Sequence, residues 1–191
     1  MTPLCALSRK YGTDKGGVME PTPNHRANLY HDYTPIYYDL MKDWASEAWA
    51  LLEVGVAEGR SARMWAEWLP NAKITGFDID PKSLDIKENR IRTYYCDQSK
   101  QESIAKALQA VGKRQHVSLF DYIIDDGSHV RAHQIITASV LFSRLQPWGI
   151  YFIEDCINGA EPIPVPPGWY NDVRRWPDRS HSMLQIIRKC P

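Results

Sequence analysis

Two runs, Ala50-Leu51-Leu52-Glu53-Val54-Gly55-Val56-Ala57-Glu58-Gly59-Arg60-Ser61 and Lys73-Ile74-Thr75-Gly76-Phe77-Asp78, decide the fold. Ala50 to Val54 is a short, largely apolar run ending at Gly55, which suits a buried parallel strand. Ser61 to Leu69 then sets Met64, Trp65 and Trp68 on one helical face. Lys73 to Phe77 is a second strand, ending in Asp78. Strand, turn, helix and strand in that order make a βαβ unit, and such crossovers are right-handed.

The same alternation continues outward. Toward the C-terminus, Pro81 to Asn89 reads as a short helix or turn. Ile91 to Cys96 is a third strand, ending in Asp97. Gln101 to Val111 is a helix with Ile104, Ala107, Leu108 and Val111 on one face. Phe120 to Ile124 is a fourth strand, ending in Asp125 and Asp126. Ala132 to Leu145 is a helix, and Ile150 to Ile153 is a fifth strand, ending in Glu154 and Asp155. Pro162, Pro164, Pro166 and Pro167 mark a loop or lid that cannot join the sheet. Ser182 to Arg188 is a last strand. Toward the N-terminus, Tyr33 to Lys42 is a helix with Thr34 as its cap and Pro35 at its first position. Residues 1–32 are polar and rich in Gly, Pro and Asn, and read as an irregular segment with little core. The expected architecture is α/β and Rossmann-like, a mostly parallel sheet with helices on both faces. A single domain is expected over 1–191: a capping segment and helix (1–45), a ligand-binding core (46–155), a lid or acceptor loop (156–181) and the last strand (182–191).

Composition narrows the function classes. The chain has 191 residues, 43% hydrophobic and 24% charged, which is ordinary for a globular domain and excludes disorder and coiled coil. Lys plus Arg and Asp plus Glu both number 23, and no basic run occurs, so neither a nucleic-acid nor a membrane partner is expected. No apolar stretch approaches the ~18 residues of a membrane span, and no secretory signal opens the sequence. The four cysteines, Cys5, Cys96, Cys156 and Cys190, form no CxxC pair and read as reduced thiols of a cytoplasmic protein.

The strand ends carry the chemistry. In an open α/β sheet, ligands sit beyond the carboxyl ends of the strands. Here those ends are Gly55, Asp78, Asp97, Asp126 and the pair Glu154 and Asp155, a row of acids that calls for a polar ligand or a metal. Gly55 permits the sharp turn after the first strand, and Gly59 permits close approach at the helix start. The turn lacks the GxGxxG spacing of dinucleotide sites, and Glu58 would repel a pyrophosphate. Asp78 is placed to take two ribose hydroxyls, and Asp97 to accept from an adenine amine. Together they describe a nucleoside with a short zwitterionic tail, S-adenosylmethionine.

Leu51 to Gly55 and Gly76 to Pro81 resemble the first two motifs of class I S-adenosylmethionine-dependent methyltransferases. Lys10 to Gly16, His31 to Tyr37, Cys96-Asp97-Gln98-Ser99, Phe120 to His129 and Ile153-Glu154-Asp155 resemble, more narrowly, the metal-dependent sugar O-methyltransferases of macrolide tailoring. The resemblance runs from residue 10 to about 155. It implies a Mg²⁺ held by Asp126, Glu154 and Asp155, hard oxygen ligands that suit this ion, with His129 as the general base. It further implies that Tyr11 and Thr13, with Asp14 and Lys15, fold over the cofactor's amino-acid end, and that Glu53, Ser61, Gln98 and Asp125 belong to the cofactor site. His133 reads as a surface or outer residue. Most of the tryptophans read as packing residues, with Trp169 and Tyr170 as candidates to stack on substrate, and Arg174, Arg175 and Arg179 read as a solvated face. The macrolide enzymes often carry an extra N-terminal domain. This chain starts directly with the 10–40 segment, so its acceptor pocket is expected to be more open or completed by a second copy in a homodimer.

The function expected is therefore Mg²⁺-dependent O-methylation of a hydroxyl beside a second oxygen, in a small-molecule sugar or natural-product acceptor. Two other classes compete. A non-haem iron hydroxylase could draw its ligands from Asp126, His129 and His133, but the nucleoside-reading acids would then have no purpose. A non-catalytic nucleoside-binding subunit would have no need of the intact Asp126, His129, Glu154 and Asp155 set.

Overall fold

The computed structural model describes residues 1–16, 31–86, 88–156, 161–175 and 183–190. Five parallel strands form the body of one sheet: β1 (Ala50–Val54), β2 (Lys73–Asp78), β3 (Ile91–Tyr95), β4 (Phe120–Asp125) and β5 (Leu145–Cys156). Two further strands, β6 (Tyr170–Arg175) and β7 (Met183–Arg188), add antiparallel at one edge, giving the order β3-β2-β1-β4-β5-β7-β6. The order reverses between β1 and β4, and that crevice is where open α/β sheets bind their ligands.

Alternate side chains of each strand enter opposite cores, as the pleat requires. On one face Leu52, Phe77, Ile123 and Tyr151 pack with Ile104, Leu108 and Val111 of α4 (Gln101–Gln115) and with Ala138 and Leu141 of α5 (Arg131–Leu141). On the other, Leu51, Ile74, Ile124 and Phe152 pack with Met64 and Trp65 of α3 (Arg60–Trp68), Tyr37 and Met41 of α2 (Thr34–Met41), and Leu4 of α1 (Pro3–Tyr11). Both faces are covered, so the strands β1, β2 and β4 are buried almost throughout. The expected Rossmann-like class is the one found.

Five readings of the sequence need correction. Thr34 does not cap its helix: it is the first residue of α2, Tyr33 holds the cap position, and no side chain caps that end. Residues 1–32 are not simply irregular: α1 occupies Pro3–Tyr11 and buries Leu4, Cys5 and Ser8. Thr2 caps it by accepting from the Cys5 N–H at 3.2 Å, Pro3 occupies its first turn, and Gly12 closes it at φ 68°. The rest of that segment, 17–30, lies outside the described residues. The helix expected to reach Leu145 ends at Leu141 and passes through a short 3₁₀ turn, Phe142–Arg144, directly into β5. The strand β6 was not expected, because Tyr-Asn-Asp-Val-Arg-Arg has no apolar alternation and is defined only by its pairing with β7. Trp44, Trp49 and Trp148 are not packing residues, being 66%, 55% and 72% exposed, whereas Trp65 is fully buried. Of the expected lid, 157–160 and 176–180, with Trp176 and Arg179, lie outside the described residues.

The N-terminal segment is stitched to the start of α2 by backbone bonds. Tyr33 N–H and Thr34 N–H donate to the Lys15 carbonyl at 2.9 and 3.0 Å, and His31 N–H donates to that of Asp14 at 3.0 Å. These bonds fix residues 13–16 and 31–37 above the carboxyl ends of β1, β4 and β5.

Candidate active site

A cavity of about 910 Å³ opens over the carboxyl ends of β1, β2, β3 and β4. Its floor is the turn after β1. Gly55 sits at φ 87°, and a Cβ there would lie 2.6 Å from the Asp126 carbonyl carbon and 2.8 Å from Gly127 Cα, so only glycine lets the ends of β1 and β4 meet. Asp78 shapes the same turn. Its Oδ2 accepts from the Val56 and Ala57 N–H groups, both at 2.8 Å, and its Oδ1 accepts from Asp80 N–H. Asp97 accepts from the Ser99 N–H and hydroxyl and pairs with Lys100 at 2.8 Å. Lys100 and Ser99 together pull its carboxyl down to about 2.

The other end of the cavity is acidic. Lys15, 1% exposed, projects its ammonium among three carboxylates: hydrogen-bonded to Asp126 Oδ2, 2.9 Å from Glu154 and 3.9 Å from Glu53 Oε1. Burial alone would lower the lysine pKa, but the charges of Asp126, Glu154 and Glu53 outweigh it and hold the group protonated. One ammonium does not balance three carboxylates. Burial accordingly raises Asp126 and Glu154, the latter strongly and with help from the Asp126 charge, and lifts Glu53 to about 7. Tyr37 hydroxyl also donates to Glu154. Asp155 is held by different partners. Tyr33 hydroxyl donates to its Oδ1 at 2.7 Å, and His31 Nδ1 lies 3.1 Å from the same oxygen. Burial works to raise Asp155, yet His31 and Tyr33 outweigh it and keep the carboxyl below its usual range.

His129 stands between the two aspartates, 42% exposed, with Nε2 4.0 Å from Asp126 Oδ1 and 3.9 Å from Asp155 Oδ2. Ligand atoms of Asp126, His129 and Asp155 lie within 4.8 Å of one another. The two hard carboxylate oxygens, beside a surplus of buried negative charge, fit a divalent cation such as Mg²⁺ or Mn²⁺, with the His129 imidazole next to them and left to handle a proton. Ala57, His129 and Asp155 all line the cavity at positive φ, 47°, 57° and 49°. Non-glycine residues held there cost ~1–3 kcal/mol each, and such strain gathers at functional sites.

The sequence-expected residues separate into two groups. Thr13, Gly55, Ser61, Asp78, Asp97, Gln98, Asp126, His129, Asp155 and His133 line the cavity. Tyr11, Glu53, Gly59, Asp125 and Glu154 do not. Tyr11 hydroxyl donates to Glu67 at 2.5 Å on the outer side of α3. Glu53 lies beneath the floor, accepting from Trp65 Nε1 at 3.1 Å. Gly59 begins α3 at φ 75° with Ile86 against it. Asp125, lifted to about 6 by burial, accepts from Gln98 Nε2 at 3.1 Å and from Tyr151 hydroxyl at 3.3 Å. Glu154 is turned toward Lys15 and Tyr37 and stands outside the Asp126, His129 and Asp155 cluster. Gln98 reaches the cavity but also spans the strand ends, its Oε1 accepting from Ser128 N–H at 2.5 Å. His133 Nδ1 lies 2.9 Å from Ser128 Oγ. Trp169 packs on Phe142 outside the cavity, and Tyr170 lies under Arg188. Sequence reasoning assigned no role to His31, Tyr33 and Tyr37. Their signal was the segment His31 to Tyr37, whose polar aromatics recur too closely to be core alone.

Comparison with known proteins bears on the fold and on what the chain is similar to. No family model matches the chain. It is 33% identical over 159 residues to an 8-demethyl-8-alpha-L-rhamnosyl tetracenomycin-C 2'-O-methyltransferase of Streptomyces olivaceus, covering 80% of this chain and 37% of that protein. It is 35% identical, over 80% of this chain and 35% of the relative, to mycinamicin VI 2''-O-methyltransferase of Micromonospora griseorubida. The chain thus spans little more than a third of the length of these curated relatives. Among solved structures it matches the MycE methyltransferase of the mycinamycin pathway in complex with Mg and SAH in two crystal forms. One match has a TM-score of 0.65 at 34% identity, covering 81% of this chain and 40% of that one. The other has a TM-score of 0.71 at 25% identity, covering 99% and 54%. The chain has the fold of class I S-adenosylmethionine-dependent methyltransferases, and the relatives it matches over four-fifths of its length are named O-methyltransferases of tetracenomycin and mycinamicin.

Proposed function

We propose that the chain is an S-adenosylmethionine-dependent, Mg²⁺-dependent O-methyltransferase that methylates a hydroxyl beside a second oxygen in a sugar or natural-product acceptor. The observation that carries this is one cavity with two ends: the Gly55 turn with Asp78 and Asp97 at one, and Asp126, His129 and Asp155 at the other. When bound, S-adenosylmethionine supplies an electrophilic methyl group, and a divalent cation supplies Lewis acidity that eases deprotonation of a nearby hydroxyl.

The chain's own residues do the rest. The backbone of the Gly55 turn, held by Asp78, leaves room for a polar tail close to β1, with Thr13 and Ser61 beside it. Asp78 and Asp97 offer carboxylate oxygens for ribose and adenine. Glu154 and Asp155 complete the acidic end with Asp126. His129 takes the hydroxyl proton on Nε2. Its Nε2 lies near 4 Å from both Asp126 and Asp155, so the ring stands at the acidic end within reach of a hydroxyl bound there. Holding the hydroxyl proton, His129 would balance the charge that methyl transfer from the bound sulfonium would remove. An iron hydroxylase of the two-histidine, one-carboxylate type is not favoured: among the described residues the cluster holds one histidine, and His133 is turned to Ser128.

Calorimetric titration of S-adenosylhomocysteine into the metal-free chain, repeated with Mg²⁺, tests the reading. Binding in both, with a heat that changes with metal, is expected. Absence of binding in both overturns it. His129→Ala is expected to keep S-adenosylhomocysteine binding while losing turnover by about 10²–10⁴-fold, the usual worth of a general base.

A further inference from the structure

The carboxylates around the acidic end are not equally free. Asp155 Oδ1 accepts from Tyr33 hydroxyl at 2.7 Å and has His31 Nδ1 at 3.1 Å, whereas Asp155 Oδ2 faces His129. Asp126 Oδ2 is bound by the Lys15 ammonium, whereas Asp126 Oδ1 faces His129. Each aspartate therefore has one oxygen taken by a donor and one directed at the position a cation would hold. All three groups come from the segment before β1: Lys15 and Tyr33 donate hydrogen bonds, and His31 acts on Asp155 as an ion-pair partner, its ring stacked on Tyr33 at 5.2 Å.

We infer that His31, Tyr33 and Lys15 set the metal preference of this site by pinning one oxygen of each aspartate, so that Asp126 and Asp155 bind a cation through a single oxygen each and Ca²⁺ is disfavoured against Mg²⁺. This rests on the reading that a divalent cation sits there. The reason lies in coordination. Ca²⁺ takes 6–8 oxygens and commonly gains the last of them by bidentate carboxylates, whereas Mg²⁺ is octahedral and satisfied by one or two carboxylates with water. A carboxylate that cannot turn its second oxygen inward denies Ca²⁺ its extra ligands and costs Mg²⁺ nothing. His31 and Tyr33 are positioning residues here, since they touch Asp155 and not the substrate.

The test is direct metal binding, read without turnover. Mg²⁺ and Ca²⁺ are titrated separately by calorimetry into the full chain, into Tyr33→Phe and into the double variant with His31→Phe, which keeps the stacking and removes the imidazole beside Asp155. The parent chain is expected to bind Mg²⁺ more tightly than Ca²⁺. Tyr33→Phe is expected to shift the ratio toward Ca²⁺ by about tenfold, the worth of one hydrogen bond to a charged group, and the double variant to shift it further. If Tyr33→Phe does not fold, His31→Phe alone is expected to move the ratio in the same direction. A parent that binds Mg²⁺, with variants that keep its ratio, overturns the inference while leaving the proposed function intact. A parent that binds neither cation overturns both.

Discussion

Lys15 shows how much one side chain decides here. Its ammonium is buried against Asp126, Glu154 and Glu53, and removing one member of such a group leaves the others as uncompensated charge. Lys15→Met is expected to cost about 3–5 kcal/mol of stability in urea denaturation at neutral pH. Asp97 makes a separate claim on pH. Lys100 and Ser99 hold its carboxyl at about 2, below the ordinary 3.8, so the ionised form is favoured in the folded chain. Its contribution to stability is present above the ordinary value and is lost as pH falls toward 2. Carboxyl NMR titration should place its midpoint near 2, and Lys100→Met should move that midpoint upward. A midpoint unchanged in the variant would remove Lys100 as the cause.

At the level of elements, the turn after β1 is the least tolerant point of the fold. Gly55→Ala would press a methyl group into the Asp126 carbonyl at positive φ. The end of β4 cannot retreat, because Asp126 N–H is bound to the Val54 carbonyl at 2.9 Å. Loss of S-adenosylhomocysteine binding by calorimetry is expected, together with destabilisation of at least about 1 kcal/mol. This turn was also the most legible part of the sequence: five strands and their acidic ends followed from apolar runs punctuated by Gly55, Asp78, Asp97, Asp126 and Glu154. What escaped was of two kinds. The signals of α1 were present in Thr2, Pro3 and Gly12, but the polar composition of the segment masked them. Strand β6 carried no signal, since an exposed edge strand is specified by its neighbour and not by its own pattern. In the site, the acids were legible because strand ends announce them. The roles of their partners were not: Lys15, expected over the cofactor's amino-acid end, is instead buried among Glu53, Asp126 and Glu154, and His31, Tyr33 and Tyr37 reach the acids only through the tertiary fold.

The surface of the whole molecule has its own consequences. Trp44, Trp49, Trp148 and Tyr170 are all at least half exposed. A formal charge of zero offers no repulsion between copies that would meet through such residues. A homodimer is expected, with light scattering giving twice the 22.0 kDa of the chain; a single-chain mass at every concentration would count against it. Among the described residues, no helix is long and apolar enough to cross a membrane. The buried lysine also sets a clock on synthesis. Lys15 is made 111 residues before Asp126 and 139 before Glu154. At roughly 5–20 residues per second, it leaves the ribosome about 7–28 seconds ahead of its last partner. Through that interval Glu53 is the first of its three carboxylate partners to be made, and Asp126 the second. Because Glu154 lies in β5, the full set of charges around the lysine exists only when the last parallel strand of the sheet has been made.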